Sequence, residues 1–406
     1  MSSLRTLFSR RYFPRYVAAR FISNFGNGMG TIALTFGILH LKGGSASQVG
    51  IVLGSSMIAF LVMSPLGGVI ADRYGRIRVA ALTDITGGAV LLLQAYYFST
   101  GRVPLQLMIV VNIIFGIAWA LFWPALTGVI PSIIKEEELQ RGNSVVQFAS
   151  NLAIISGTAI GGVIIAALGS TTALVIDALS FIVNGVMIAT FRHLTPRPTG
   201  EIQSVFDDLI HGWKVFLSFR WIVVIVGAFS FIVMCWAGAE NVLGPLIAKD
   251  KFHGASSWAF VLSWESVGFL VGSLIAMKYH PKYPMRFLMF GTFSIVLYIG
   301  SLVGPLSIAA ISFCAFLWGV SLDLWGAIWG SALQQMVPKD SLSRVSAFDG
   351  MGSLLFRPLG LMLAAPLSEW VGVPAALKIF AAIAFLVTLA PLFVRDVWMM
   401  QLSENS

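Results

Sequence analysis

The sequence predicts an all-α membrane protein in which twelve transmembrane helices form two six-helix bundles, with both termini cytoplasmic. Three observations lead there. Charged residues make up only 11% of the 406 positions and hydrophobic residues 57%, whereas a soluble domain carries roughly 25% charge. The stretches 21–41, 43–71, 103–134 and 287–322 contain no Asp, Glu, Lys or Arg, and about 20 apolar residues suffice to cross a bilayer core. Finally, the basic residues alternate from one side to the other. With the N-terminus inside, 19 of the 26 Lys and Arg fall in cytoplasmic segments and five outside, as the positive-inside rule requires.

The elements follow in order. The basic start, MSSLRTLFSRRYFPRY, runs into an apolar stretch too long for a secretory signal core, so it reads as an uncleaved first span. Gly, Pro and charge breaks then place spans near 15–41, 46–72, 78–99, 105–133, 142–168 and 170–191. A polar interruption, HLTPRPTGEIQSVFDD, divides the chain. Six more spans follow near 220–248, 256–278, 284–303, 305–336, 344–370 and 374–395. Apolar runs this long exclude a barrel, whose strands alternate over about 10 residues. The expected domains are an N-terminal bundle at 1–195, a cytoplasmic linker at 196–219 and a C-terminal bundle at 220–406. The stretch Asp208–Arg220 reads as an amphipathic helix on the inner surface.

The halves also resemble each other. A shift of 203 residues lays Phe115-Gly116 on Trp318-Gly319, Arg141 on Arg344 and Gly157 on Gly360, the parallel repeat expected of two-bundle transporters. Gly pairs four apart (Gly50/Gly54, Gly157/Gly161, Gly268/Gly272) mark close helix packing.

Composition excludes a soluble enzyme, a nucleic-acid binder and a disulfide scaffold. The two cysteines, Cys235 and Cys314, sit in apolar spans and read as packing residues. The chain has no Gly-Lys dipeptide and hence no Walker A loop, no HExxH and no GxSxG, and its five histidines are scattered. No cofactor, metal or catalytic residue is therefore expected. The expected partners are a small-molecule substrate, protons and the lipid bilayer, with the chain a monomer.

Between the second and third spans stands Gly68-Val-Ile-Ala-Asp72-Arg73-Tyr-Gly75-Arg76-Ile-Arg78. It resembles the loop signature of the major facilitator superfamily, with Ile77 where a basic residue is usual and Arg78 one place on. Arg20-Phe-Ile-Ser-Asn-Phe-Gly26, Asp177-Ala-Leu-Ser-Phe181 and the pair Arg344-Val345 are similar to the branch holding macrolide-efflux proteins and a siderophore exporter. Gly157-Thr158-Ala-Ile-Gly161-Gly162 partly matches that branch's antiporter motif, with Thr158 in place of proline. The resemblance implies drug:proton antiport in the plasma membrane, with spans one, four, seven and ten lining a central cavity. It implies a gating loop of Gly68, Asp72, Arg73, Gly75, Arg76 and Arg78. Asp72 would meet the helix start near Ser343 and Arg344, and Arg73 and Arg76 would pair with the Glu136-Glu137-Glu138 run.

Polar residues recur at helical spacing inside the spans, and such faces turn away from lipid. Cavity candidates are Arg20, Asn24, Asn27 and Thr31 in span one, Asn112, Trp119 and Trp123 in span four, and Asp177 and Asn184 in span six. Span ten adds Trp318 and Trp325. The tryptophan stripes suit a bulky amphipathic ligand, and packing is the other reading of them. Intramembrane acids must be paired, wet or protonated. Glu240, Glu265 and Asp323 are candidates for proton coupling, as is Asp84; Asp84 and Asp349 are also expected to partner loop arginines. The function expected is proton-coupled efflux of amphipathic compounds, either antibiotic or siderophore, by alternating access. The alternative is a proton-coupled uptake symporter for a small polar solute.

Overall fold

Every regular element among the described residues is helical. The structure, a computed structural model of the chain, describes residues 4–101, 103–126, 129–135, 138–192, 213–276, 281, 283–304 and 306–400. The side chains at 4, 5, 72, 140, 141 and 339–344 lie outside that description.

The first half contains α1 (Phe13–His40), α2 (Ala46–Tyr74), α3 (Arg76–Ser99), α4 (Leu105–Leu126), α5 (Leu139–Leu168) and α6 (Ser170–Ala189). The second contains α7 (Arg220–Lys251), α8 (Ala255–Ala276), α9 (Pro284–Val303), α10 (Ile308–Met336), α11 (Val345–Val371) and α12 (Val373–Phe393). Among the described residues eleven helices, from α2 onward, are long and apolar enough to cross a membrane. At 28 residues α1 has the length too, about 42 Å, but its polar stripe makes it less apolar. Outward faces are greasy: Val62, Leu82, Val163 and Leu386 are exposed, as befits a chain solvated by acyl groups rather than water.

Several ends depart from expectation for local reasons. Helix α4 stops at Leu126 rather than near 133, and a single 3-10 turn, Ile130–Ser132, follows. Pro131 in that turn has no N–H to continue a helix. Helix α9 breaks at Phe293, between Pro284–Thr292 and Ser294–Val303. In α11 the helix Lys339–Leu354 gives way to Arg357–Val371, just ahead of Pro358. Helix α10 starts at Ile308, after Ser307 accepts the Ala310 amide at 3.3 Å. Between α2 and α3 the chain reverses on Gly75 alone, at φ +92°, a conformation open to glycine but strained for other residues.

By contact the chain divides into two units. One comprises Met1–Glu201 with Gly254–Ala259, the other Ile202–His253 with Phe260–Ser406. In the first unit α1 packs on α5 and α6, and α3 on α4 and α6. In the second, α7 packs on α11 and α12, and α9 on α10 and α12. Adding six to each first-unit label gives the second-unit pairing, so the repeat extends to packing.

Glycines make the tightest of these approaches. A Cβ on Gly157 would collide with the Phe25 carbonyl of α1, and one on Gly360 with the Met234 carbonyl of α7. Likewise Gly116 meets Ser56 of α2 while Gly319 meets Glu265 of α8. Gly161 lies against Met29, and Gly268 and Gly272 lie against α10. Thr158 also bridges α5 to α1, donating to the Gly28 carbonyl at 3.0 Å.

Of the expected surface helix 208–220, residues 208–212 lie outside the described chain. The described part is helical over 213–218. Phe216 is buried there in a cluster with Trp221 and Val345, and Trp213 stacks on Phe216 at 5.7 Å.

Candidate functional site

Two polar centres sit inside the helices, one in each unit. In the first, four residues of α1 at i, i+3, i+4 and i+7 (Arg20, Ser23, Asn24, Asn27) face a cleft. Helix α3 adds Thr83, Asp84 and Gly87, α4 adds Phe115, Ala118, Trp119, Phe122 and Trp123, and α6 adds Phe181. The helical period brings these together, since every third or fourth residue shares a face.

The polar groups hold one another in part. Asn184 of α6 donates its amide to Asp84 Oδ2. The Arg20 guanidinium acts on Asp84 electrostatically, and its carbon lies 5.4 Å from the Phe122 ring centre. Only 6% of Arg20 is exposed. The Asn24 amide donates to the Arg20 carbonyl at 2.7 Å and to Ser150 Oγ of α5 at 3.0 Å. The aromatic wall is edge-packed, with Phe115 5.5 Å from Phe181 and 5.9 Å from Trp119. Trp119 and Trp123 keep 37% and 50% of their surface exposed.

The second centre is built on a distortion of α7. Ala239–Leu243 forms a π turn between the α-helical segments Arg220–Gly238 and Gly244–Lys251. Pro245 lies just beyond and would clash with the carbonyl four residues back in a regular helix; an extra residue in the turn relieves this. The turn carries Glu240, which accepts Trp236 Nε1 at 2.7 Å. The carboxyls of Glu240 and Glu265 of α8 are close enough to act on each other, and both are buried. Tyr298 of α9, fully buried, brings its hydroxyl beside Glu240. Arg357 of α11 supplies a positive charge acting on Glu240, and its Nε is buried with no hydrogen-bond partner. A second oxygen of the pair, Glu265 Oε1, is also unpartnered.

The remaining sequence candidates are distributed differently. Thr31 is exposed and does not line the cleft. Asn112 is buried and spends its amide on the Met108 carbonyl of its own helix at 2.9 Å. Asp177 is buried against Gly26 and Gly30 of α1, with Oδ1 unpartnered. Trp318 and Trp325 are packed inside the second unit, so packing rather than cavity lining describes them. Trp318 is wholly buried, 5.7 Å from Trp236, and Trp325 donates to Thr292 Oγ1 at 3.0 Å. Asp323 stands apart from the carboxyl pair and accepts Ser273 Oγ at 2.8 Å.

The expected partnership of Asp84 and Asp349 with loop arginines is corrected. Among the described residues Asp84 takes the Asn184 amide and the charge of Arg20 on α1, and Asp349 takes Trp329 Nε1 at 2.9 Å. In the loop itself, Arg76 donates to the Pro124 carbonyl at 3.4 Å and Arg73 lies over Tyr74 at 5.7 Å. Arg78 is exposed and nothing crowds Gly68. Ile77, at the basic position of the signature, is fully buried with Tyr16 and Phe191. Glu138 pairs with Arg10 at 3.0 Å, not with Arg73 or Arg76. Residues 136 and 137 and the side chains of Asp72, Ser343 and Arg344 lie outside the description, as does Arg141.

Sequence reasoning missed Ser23, Phe115, Phe122 and Phe181 in the cleft, and Trp236 and Tyr298 around the acids. Extending the register from Arg20 by three residues would have found Ser23. A tyrosine alone in an apolar run, as Tyr298 is, was the available signal for the acid centre. Among the described residues no group of His, Cys, Asp and Glu is arranged to hold a metal.

The chain is similar to known proteins in sequence and fold. The family model described as the Major Facilitator Superfamily matches residues 17–355. The chain is 24% identical over 348 residues to macrolide efflux protein A of Streptococcus pyogenes, covering 82% of this chain and 83% of that one. It is 28% identical over 375 residues to the multidrug efflux pump Tap of Mycobacterium tuberculosis, covering 86% and 85%. In fold it is similar to the solved nucleoside transporter NupG, with a TM-score of 0.76 at 16% identity, covering 96% of this chain and all (100%) of that one. The solved D-xylose-proton symporter gives 0.71 at 14% identity, covering 97% and 100%.

Proposed function

The chain belongs to the Major Facilitator Superfamily and is a multi-pass membrane transporter, and from that premise we propose that it exports amphipathic compounds in exchange for protons. Its substrates are drug-like or siderophore-like molecules, and alternating access moves them across the plasma membrane. Both termini are cytoplasmic, α1 completes twelve spans, and the chain works as a monomer.

One observation carries the coupling: two buried carboxyls, Glu240 and Glu265, neighbour each other beside Arg357. Such a pair holds a proton without an added counter-ion, and Arg357 balances the remaining negative charge. The π turn under Glu240 is a segment whose register can change, as such turns in functional helices do. Asp323 and Asp84 are further acids of the pathway. The efflux direction is supported by the names of the similar proteins from Streptococcus pyogenes and Mycobacterium tuberculosis. The loop Gly68–Arg78 acts as an inner latch through Asp72; Asp72→Asn is expected to reduce transport and shift cysteine labelling toward the inward-facing form.

The test is transport in proteoliposomes. A labelled macrolide moving against its gradient when a pH gradient is imposed, and stopping on addition of a protonophore, supports the proposal. Macrolide indifference together with proton-driven accumulation of a small polar solute identifies an uptake symporter instead and overturns it.

A further inference from the structure

We infer that Asp177 is a proton-binding site of the first unit: its carboxyl carries a proton while α1 and α6 are packed together, and releases it only when water enters their seam. Only its use in transport rests on the exchange proposed above; its chemistry rests on the seam. Helix α6 sets Ser170, Asp177 and Asn184 at i, i+7 and i+14, on one face. Opposite them α1 offers glycine. A Cβ on Gly26 would strike Ser180 Oγ and Asp177 Oδ1, one on Gly30 would strike Asp177 Oδ2, and one on Gly37 would crowd Ser170. Both carboxyl oxygens are thus pressed against bare backbone. The neighbouring Ser180 hydroxyl donates to the Asp177 backbone carbonyl at 2.7 Å instead. Among the described residues no N–H or O–H donates to the carboxyl itself.

No charge reaches it either. Helix α6 packs on α1, α3 and α5 and touches Phe115 of α4 through Phe181. The titratable groups of α1 are Arg15, Tyr16, Arg20 and His40, and those of α3 are Arg76, Arg78, Asp84, Tyr96 and Tyr97. Helix α4 has none, and α5 only Arg141 at its inner end. Arg20 lies about 9–15 Å along α1 from Gly26 and Gly30 and acts on Asp84. Among the described residues no charged group acts on Asp177.

Asp84 supplies the contrast within the same unit. It has a donor in Asn184, a cation in Arg20 and a cleft beside it. Asp177, 3% exposed, has no such donor or cation and lies outside the lining of that cleft. A carboxylate without cation, donor or water is the state that a bundle interior in lipid rejects, which leaves the neutral acid. Ionisation then needs water, and the glycine contacts keep water out until α1 and α6 part. In that step the O–H bond of Asp177 breaks, its electron pair stays on the carboxylate, and the proton passes to water.

The test uses the purified full chain in detergent and needs no substrate. Infrared difference spectra between the wild-type chain and Asp177→Asn at neutral pH should show a protonated-carboxyl band on the wild-type side and no carboxylate band. A second readout is maleimide labelling of Ser180→Cys, in the same seam, followed by mass spectrometry with Asp177 present or replaced by Asn. An opening that releases one proton becomes about tenfold more favourable per pH unit. The ratio of the two labelling rates should therefore climb about tenfold per unit around neutrality, with the thiol's own ionisation cancelling. Asp177→Val is the second neutral reference. A carboxylate band at neutral pH, or a flat ratio, overturns the inference. So does failure of both neutral variants to fold, because that site would need its charge. The export proposal stands or falls separately, on the direction of macrolide movement in proteoliposomes.

Discussion

Glu240 and Glu265 are neighbouring buried carboxyls, yet their replacement by glutamine should have unequal consequences. Glu240 accepts Trp236 Nε1 at 2.7 Å and is the carboxyl on which Arg357 acts. In Glu240→Gln the amide oxygen still accepts from Trp236, but Arg357 loses its anion. Removing one partner of a fully buried ion pair costs about 3–5 kcal/mol. Arg357 is only half-buried, so part of its charge is screened, and about 2–4 kcal/mol is expected. Glu265→Gln is milder. Its amide N–H can donate to the neighbouring Glu240 carboxyl, and no charge is stranded, so the loss should stay below about 1 kcal/mol. What it loses is the exchangeable proton. Thermal unfolding in detergent, followed by intrinsic fluorescence, should place Glu240→Gln well below Glu265→Gln. Both should lose transport driven by a pH gradient, while Glu265→Gln keeps equilibrium exchange of substrate. A Glu265→Gln protein that is the less stable of the two, or that retains full pH-driven transport, refutes the reasoning.

Further expectations concern packing and pH. Gly157→Ala and Gly360→Ala each push a methyl group into a facing carbonyl and should each destabilise by about 1–3 kcal/mol in thermal unfolding. Thr158→Val keeps the shape but removes the 3.0 Å bond to Gly28, and should cost about 0.6–1.7 kcal/mol by the same measurement. Trp329→Phe deprives Asp349 of its 2.9 Å donor, leaving only Ser353 at 3.5 Å, with a loss of about 1–3 kcal/mol. The Arg10 side chain, bonded to Glu138, holds that carboxyl below the usual glutamate range, helped by the Lys135 amide. A carboxyl lowered in the folded state contributes stability above its unfolded value, and the contribution is lost as pH falls through the lowered folded value. The stability gap between the wild-type chain and Arg10→Gln should therefore be open at neutral pH and close on acidification, read from unfolding midpoints across a pH series.

The fold was legible because its cause is compositional. Charge-free runs in water-insoluble lengths leave few architectures open, and the Gly116/Gly319 and Gly157/Gly360 correspondences mark real notches in the packing. Local breaks were harder to see. The π turn in α7 arises from Pro245 acting on residues before it, and the early end of α4 depends on prolines in a run that otherwise looks continuous. The cleft was partly legible: α1 announced its polar face through Arg20, Asn24 and Asn27, but Thr31 on the same nominal stripe is exposed. Its neighbours Gly30 and Ile32 are buried, so the helix is still packed at that level and Thr31 simply points away from the packing. Tryptophan stripes misled for a related reason. Trp119 and Trp123 face a cleft, while Trp318 and Trp325 are enclosed by neighbouring rings and Thr292, and helical spacing is the same in both cases.

The repeat keeps its backbone contacts and abandons its polar chemistry. Helices α1 and α7 occupy equivalent places, each pressed against a glycine of the fifth helix in its unit. Yet α1 presents Arg20, Asn24 and Asn27 to an aromatic-walled cleft, while α7 presents Glu240 to a second carboxyl in a closed interior. Symmetry in packing is what two bundles need in order to move as similar rigid bodies. Asymmetry in the buried groups is what an exchanger needs if substrate and proton are not to compete for identical sites. On the proposed reading, the cleft of the first unit receives the substrate and the carboxyl pair of the second holds a proton, with Asp84 the acid of the pathway that lies in the cleft. A protein in which Arg20→Met alters the choice of ligand but leaves proton binding intact, and Glu265→Gln does the reverse, has that division of roles. If each substitution instead perturbs both properties equally, the two centres act as one.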